Sequence, residues 1–131
     1  MPLEAVYEYG EPITASGFVF MDTPGYDPVA VTGQVAGGCN VICFTTGRGS
    51  VSGFKPAPCI KIATNEVMYA HMEEDMDVNC GGIISGEDTI EAAGQRIFEK
   101  IVEIASGGRS ASEEFDYGDN EFVPWPLGAV T

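Results

Sequence analysis

Positive charge is scarce in this sequence: six Lys and Arg stand against twenty Asp and Glu, for a net charge of −14. That balance argues against nucleic acid or an anionic membrane as a partner, since both would be repelled. No apolar run approaches the roughly 20 residues that a membrane-crossing helix needs. Residues 1–10 lack the basic segment followed by an apolar stretch that marks a secretory signal. A soluble, cytoplasmic protein is therefore expected. Histidine and tryptophan occur once each, as His71 and Trp125. His71 reads as a surface residue, on the side of a helix opposite Met68 and Met72. The four cysteines, at 39, 43, 59 and 80, form no CxxC pair. They read as small reduced core residues of a cytosolic protein, with a metal role for Cys39 or Cys80 as the alternative.

What is present describes one compact α/β domain. The chain has 131 residues, 44% of them hydrophobic, and 17 glycines, which places it among globular proteins. Gly17 to Met21 is an apolar run expected as a buried strand. Asp27 and Pro28 predict a helix start, and Gly37-Gly38 its end. Cys39–Thr45 and Cys59–Ala63 read as further strands. Asn65 is placed to cap a helix carrying Met68, Tyr69, Met72 and Met76. Gly82-Ile83-Ile84 is expected as a fourth strand. Ser85 with Asp88 resembles a capping box opening a helix whose apolar face is Ile90, Ala93, Ile97, Ile101 and Ile104, ended by Gly107-Gly108. Strands alternating with helices predict a three-layer, Rossmann-like α/β fold: a mainly parallel sheet of about four or more strands with flanking helices. From about residue 109 the chain reads as an irregular acidic tail, with Trp125 as its anchor.

The charge is unevenly spread. Residues 1–27 carry −5, residues 66–131 carry −12, and residues 28–65 contain no acid but hold Arg48, Lys55 and Lys61. A buried β-α-β core excludes charge, which explains the missing acids but not the remaining cations. The window reads as a local anion site. In open parallel sheets ligands bind beyond the carboxyl ends of the strands. Three polar clusters fall there in this reading: Asp22-Thr23 after the first strand, Thr45-Thr46-Gly47-Arg48-Gly49-Ser50 after the second, and Thr64-Asn65 after the third. The Thr-Thr-Gly-Arg-Gly-Ser loop is neither a Walker A loop nor GxGxxG. Its glycines let backbone N–H groups face an oxyanion, its hydroxyls donate, and Arg48 can grip a carboxylate with two parallel bonds. Lys61, inside an apolar strand, is either a base made available by burial or a lysine snorkelling to the strand edge.

Five ordered stretches are together similar to one family. They are Phe20–Pro28 (FMDTPGYDP), Phe44–Ser50 (FTTGRGS), Lys61–Asn65 (KIATN), Asp75–Gly81 (DMDVNCG) and Glu121–Trp125 (EFVPW). They resemble the C-terminal region of the galactarate and altronate dehydratases, and Gly53–Pro58 (GFKPAP) looks closer to the galactarate branch. The resemblance implies that the whole chain is the C-terminal domain of a larger hydro-lyase. The reaction it implies is β-elimination of water from a sugar acid, giving 5-dehydro-4-deoxy-glucarate from galactarate. It implies a divalent metal, often iron, in the full-length enzyme, and a homo-oligomer as the expected assembly. Metal ligands are not readable from spacing; Cys39, Cys80 and Asp22 are the candidates to weigh. Under this resemblance Arg48 and Lys61 are the expected catalytic residues. Asp22, Thr23, Thr45, Thr46, Gly47, Gly49, Ser50 and Asn65 are the expected substrate contacts. The alternatives are an altronate dehydratase or a lyase of a related acid such as sulfolactate, and an assembly domain that does not bind sugar acids when isolated.

Overall fold

A computed structural model of the chain describes residues 1–126. Two compact units are present, one formed by residues 41–118 and the other by residues 1–40 with residues 119–126. The strands divide between them. As expected, the pairing is parallel throughout, but it is distributed over a two-stranded and a three-stranded sheet.

In the first unit, β1 (Leu3–Tyr7) pairs in parallel with β2 (Phe18–Met21). β1 is too short, and too exposed along most of its length, to give a clear apolar run in the sequence. Helix α1 (Asp27–Ala36) starts one residue earlier than the sequence suggests: Tyr26 is the N-cap and Asp27 lies in the first turn, where a negative charge suits the helix dipole. Gly37 caps its C-terminus, and Gly38 follows at φ +115°. The tail returns to this unit. Trp125 meets the Tyr9 ring edge-on at 5.4 Å, its backbone N–H donates to Tyr9 Oη at 3.2 Å, and Val123 N donates to Thr32 Oγ1 at 2.8 Å. The anchoring role expected of Trp125 is thus borne out within this unit; residues 127–131 of the expected tail lie outside the described residues.

In the second unit, β3 (Ile42–Thr46), β4 (Cys59–Ala63) and β5 (Val78–Asn79) form a parallel sheet in that order. All five residues of the central strand β4 are buried. Side chains alternate across a strand, so β4 sends Ile60 and Ile62 to one face and Cys59, Lys61 and Ala63 to the other. On the first face Ile60 and Ile62 join Val78, Cys80, Ala93 and Ile104, with Ile97 and Ile101 against them. That cluster is the apolar stripe of α4 (Ile90–Ala105) laid on the sheet. On the second face Ala63 packs with Met68 and Met76, which brings in α2 (Glu66–His71). Helices on both faces of one parallel sheet are the three-layer arrangement expected.

Three local expectations are corrected. Gly82–Ser85 is a short helix, α3, rather than a strand. The strand lies earlier, at Val78–Asn79, and the chain turns out of it when Gly81 N donates to Asn79 Oδ1 at 2.8 Å. Helix α4 is capped by Thr89, whose side chain accepts from Ala92 N at 3.1 Å. Asp88 is instead bonded to Arg96 and to Thr89 N, so Ser85 and Asp88 form no capping box. A capping box does occur at Ser110 and Glu113, where α5 (Ala111–Glu114) begins inside the supposedly irregular tail.

Candidate functional site

The carboxyl ends of β3, β4 and β5 deliver three loops to one edge of the three-stranded sheet. They are Gly47–Ser50, Thr64-Asn65 and Cys80–Gly82, and three of the five stretches that resemble the dehydratase family end there. The loops are tied to one another by hydrogen bonds. Thr64 donates to Thr46 O twice, from its backbone N at 3.0 Å and from Oγ1 at 3.1 Å. Asn65 Nδ2 donates to Gly47 O at 2.7 Å, while Asn65 Oδ1 accepts from Met68 N at 2.8 Å and caps α2 as expected.

Two glycines here are required by close approach. Gly49 sits at φ +88°, and a Cβ there would strike the Met72 thioether and crowd Met68. A Cβ on Gly81 would strike the backbone of Asn65 and Glu66. The third loop therefore lies directly against the second. Arg96 on α4 braces it from the far side, donating to Asn79 O at 3.1 Å and to the Asp88 carboxylate. The Arg96 guanidinium holds the Asp88 carboxyl below its usual range.

The Gly-Arg-Gly loop is not the open cradle expected from its sequence. Thr46 Oγ1 accepts from Arg48 N at 3.3 Å and from Gly49 N at 3.1 Å, so these two N–H groups point back at the threonine and not outward. Ser50 Oγ is similarly engaged with Ser52, donating to its Oγ at 3.0 Å and accepting from its N at 3.1 Å. What the loop presents to solvent is the Arg48 side chain, with Thr45 exposed on the edge strand before it.

The other expected residues are distributed as follows. Lys61 is fully buried in the middle of β4, on the α2 side, so it does not snorkel. Lys55 is ion-paired with Asp116. Of the three cations in the acid-free window, the loop edge therefore carries Arg48. Asp22 and Thr23 follow β2 and so belong to the other sheet. The expected convergence of three clusters on one sheet edge holds for two of them, and Cys80–Gly82 supplies the third loop. His71 is exposed, as expected. Cys59 and Cys80 are buried, Cys39 is half-buried, and Cys43, on an edge strand, is exposed. Burial pushes the Cys59 thiol up to about 12, with the positive charge of Lys61 working against it.

Nothing in the sequence sets Asp77 apart from the acidic run of Glu73, Glu74 and Asp75 before it, which has the composition of a solvated face. Asp77 Oδ2 accepts from Lys61 N at 2.7 Å and Oδ1 from Ala111 N at 2.8 Å, pinning α5 to the central strand. A carboxylate with two acceptor oxygens suits two backbone donors. Its place at the end of an acidic run hid it. Arg96 was also missed, since a lone arginine on an amphipathic helix carries no motif.

A cleft of about 410 Å³ opens between β5 and α4, with Tyr69, Asn79, Arg96 and Lys100 among its lining. Its cations are matched, Arg96 by Asp88 and Lys100 by Glu103 at 2.8 Å. It lacks the unmatched positive charge that an acid ligand needs, which favours the loop edge. Among the described residues no three His, Cys, Asp or Glu side chains come together to hold a metal ion. The candidates Cys39, Cys80 and Asp22 do not form a ligand set on their own.

A parallel α/β core with a braced polar edge beyond its strands is of the open-sheet class, in which ligands bind at that edge. The chain belongs to the family described as D-galactarate/Altronate dehydratase, C-terminal, whose model matches residues 1–130. It is 42% identical over 98 residues to galactarate dehydratase (L-threo-forming) of Escherichia coli K12, covering 75% of this chain and 19% of that enzyme. It is 31% identical over 116 residues to altronate dehydratase of Bacillus subtilis 168, covering 88% and 23%. Similarity at 31% extends over 121 residues to the beta subunit of (2R)-sulfolactate sulfo-lyase from Chromohalobacter salexigens, covering 92% and 31%. The chain thus spans between about a fifth and a third of the length of these relatives. No helix among the described residues is long and apolar enough to cross a membrane.

Proposed function

We propose that this chain is the C-terminal part of a sugar-acid dehydratase that eliminates water from galactarate to give 5-dehydro-4-deoxy-glucarate. The observation that carries the reading is the braced edge of the three-stranded sheet, where Arg48 is held out to solvent by a loop built from family motifs. β-Elimination removes a proton from a carbon beside a carboxylate, so the developing enediolate needs positive charge placed in advance. Arg48 supplies it in a planar form that matches a carboxylate. Lys61, the other candidate for the base or a second clamp, is fully buried in β4, so Arg48 is the cation of the pair that can meet the substrate at this edge. Thr45, exposed on the edge strand beside Arg48, is left to meet the hydroxyls of the substrate. The greater identity to a galactarate dehydratase than to the altronate dehydratases supports the galactarate branch, with altronate as the second substrate to try.

In this reading the divalent metal, iron by resemblance, is held by the longer enzyme with donors beyond those clustered here. The remaining domains of that enzyme and a second copy of it are the partners, and the cytoplasm is the compartment.

Titration calorimetry of the chain with galactarate tests the assignment. Heat of binding is expected for the wild type, with the affinity falling at least about tenfold in Arg48→Ala, the loss of one charge-assisted bidentate contact. Binding that is indifferent to this change refutes the assignment to Arg48. A chain that dimerises in solution and ignores both galactarate and altronate is an assembly domain instead.

A further inference from the structure

We infer that Asn65 is a positioning residue for Arg48, and does not itself hold the substrate. Both ends of its amide are already in use. Met68 N–H is a donor and must face an oxygen; Gly47 C=O is an acceptor and must face the NH₂. The orientation of the amide is therefore fixed by its two neighbours, at 2.8 Å and 2.7 Å. A substrate hydroxyl that took the bonded hydrogen of Nδ2 would have to release the Gly47 carbonyl.

The bond to Gly47 matters because of what surrounds it. Thr46 O is held by Thr64 and Gly47 O by Asn65, so two successive carbonyls are fixed just before Arg48. Just after it, Gly49 lies flat against Met68 and Met72 of the segment that Asn65 caps. Behind Asn65, Gly81 packs on the Asn65–Glu66 backbone with no room for a side chain. The backbone of Arg48 is thus clamped on both sides while its side chain stays exposed. Binding then has to order the guanidinium but not the loop, which is where preorganisation increases affinity. That Arg48 meets a carboxylate rests on the function proposed above; that Asn65 fixes the loop does not.

The test separates the cap from the tether. Serine caps a helix about as well as asparagine, but it is too short to reach the Gly47 carbonyl, and it adds no charge. Asn65→Ser is therefore expected to keep the melting temperature within a few degrees. Glu66–Met68 should remain rigid by ¹⁵N relaxation, with order parameters of about 0.85, while those of Gly47–Gly49 fall toward about 0.6. The Kd for galactarate is expected to rise about tenfold, a change of 1.4 kcal/mol by the affinity relation. If the serine variant proves too unstable to measure, Asn65→Asp keeps both shape and cap, loses the donor, and is read by the same relaxation experiment. Unchanged order parameters at Arg48 and Gly49 overturn the proposal. So does weakened binding with an unaltered loop, which would place Asn65 on the substrate. If the wild type gives no heat with galactarate, the assignment of Arg48 to the substrate fails while relaxation still decides the role of Asn65.

Discussion

The two sheets use the same parallel pairing and make very different use of it. β4 buries all five of its residues between α4 on one face and α2 on the other. β2 buries Met21 and leaves Phe18 and Phe20 more than half exposed, at 54% and 53%. The loops after them differ in the same sense. Beyond β4, Thr64 and Asn65 are bonded across to Thr46 and Gly47 and backed by Gly81. Beyond β2, Asp22 is exposed and Gly25 has open space where a side chain would stand. Parallel sheets are stable when both faces are covered, and that covering is also what lets loops at a strand end brace one another. Motif content alone does not distinguish the two regions, since FMDTPGYDP and KIATN are equally recognisable. Packing does.

The sharpest way to break that comparison is to remove equivalent apolar side chains from the two strands. Ile60→Ala is expected to destabilise the chain by about 4 kcal/mol, through lost transfer energy and an unfilled cavity. Phe20→Ala, at a residue 53% exposed, is expected to cost about 1 kcal/mol or less. Urea unfolding of the two variants gives the ratio directly. Comparable losses would mean that the β1–β2 sheet carries as much of the stability as β4 does.

A smaller difference is expected for glycines in the two sets of loops. Gly81→Ala forces a methyl group into the Asn65–Glu66 backbone, which cannot yield as a side chain would, and is expected to cost about 3 kcal/mol. Gly25→Ala meets nothing and is expected to stay within about 0.5 kcal/mol of wild type, by the same unfolding measurement. A tolerated Gly81→Ala would show that the loops beyond β4 are less tightly joined than their geometry indicates.

Much of the second unit was legible in the sequence because local signals and packing agree there. The apolar run at Cys59–Ala63, the Asn65 cap and the stripe from Ala93 to Ile104 each have one reading, and each reading is satisfied; Ile90, expected on the same face, is 72% exposed. Legibility failed where a single side chain is claimed by a distant partner. Asp88 has the spacing of a capping box with Ser85, but Arg96 takes its carboxylate and the helix starts at Thr89. Ile83 and Ile84 look like a strand, yet the backbone contact at Gly81 turns the chain before they arrive. The candidate site failed in a related way. The glycines and threonines of Thr45–Ser50 were correctly seen as lying at a strand end. That Thr46 would fill the cradle with its own hydroxyl depends on the fold of the loop, which composition does not encode. Lys61 could be placed in an apolar strand, but its complete burial depends on the elements packed around β4, which the local sequence does not encode.

A pH measurement sharpens the contrast at a single atom type. Cys59, on β4, has its thiol pushed up to about 12 by burial, whereas a thiol in the unfolded chain titrates near about 8.5. A folded value above the unfolded one means the native state holds its proton longer. The stability this contributes is complete below about pH 8.5 and is lost as pH rises toward 12. The wild type should therefore lose stability between about pH 9 and 11 by up to about 1.4 kcal/mol per pH unit more than Cys59→Ala, which has no thiol at that position. Cys39, half-buried in the first unit, is raised by the same cause to a lesser extent, so Cys39→Ala is expected to leave most of the alkaline slope in place. Urea midpoints at half-unit steps of pH for the three proteins decide it. Equal slopes for wild type and Cys59→Ala would mean that the interior around β4 opens before the thiol has to ionise, and the contrast between the two sheets would then be one of packing at rest rather than of stability under load.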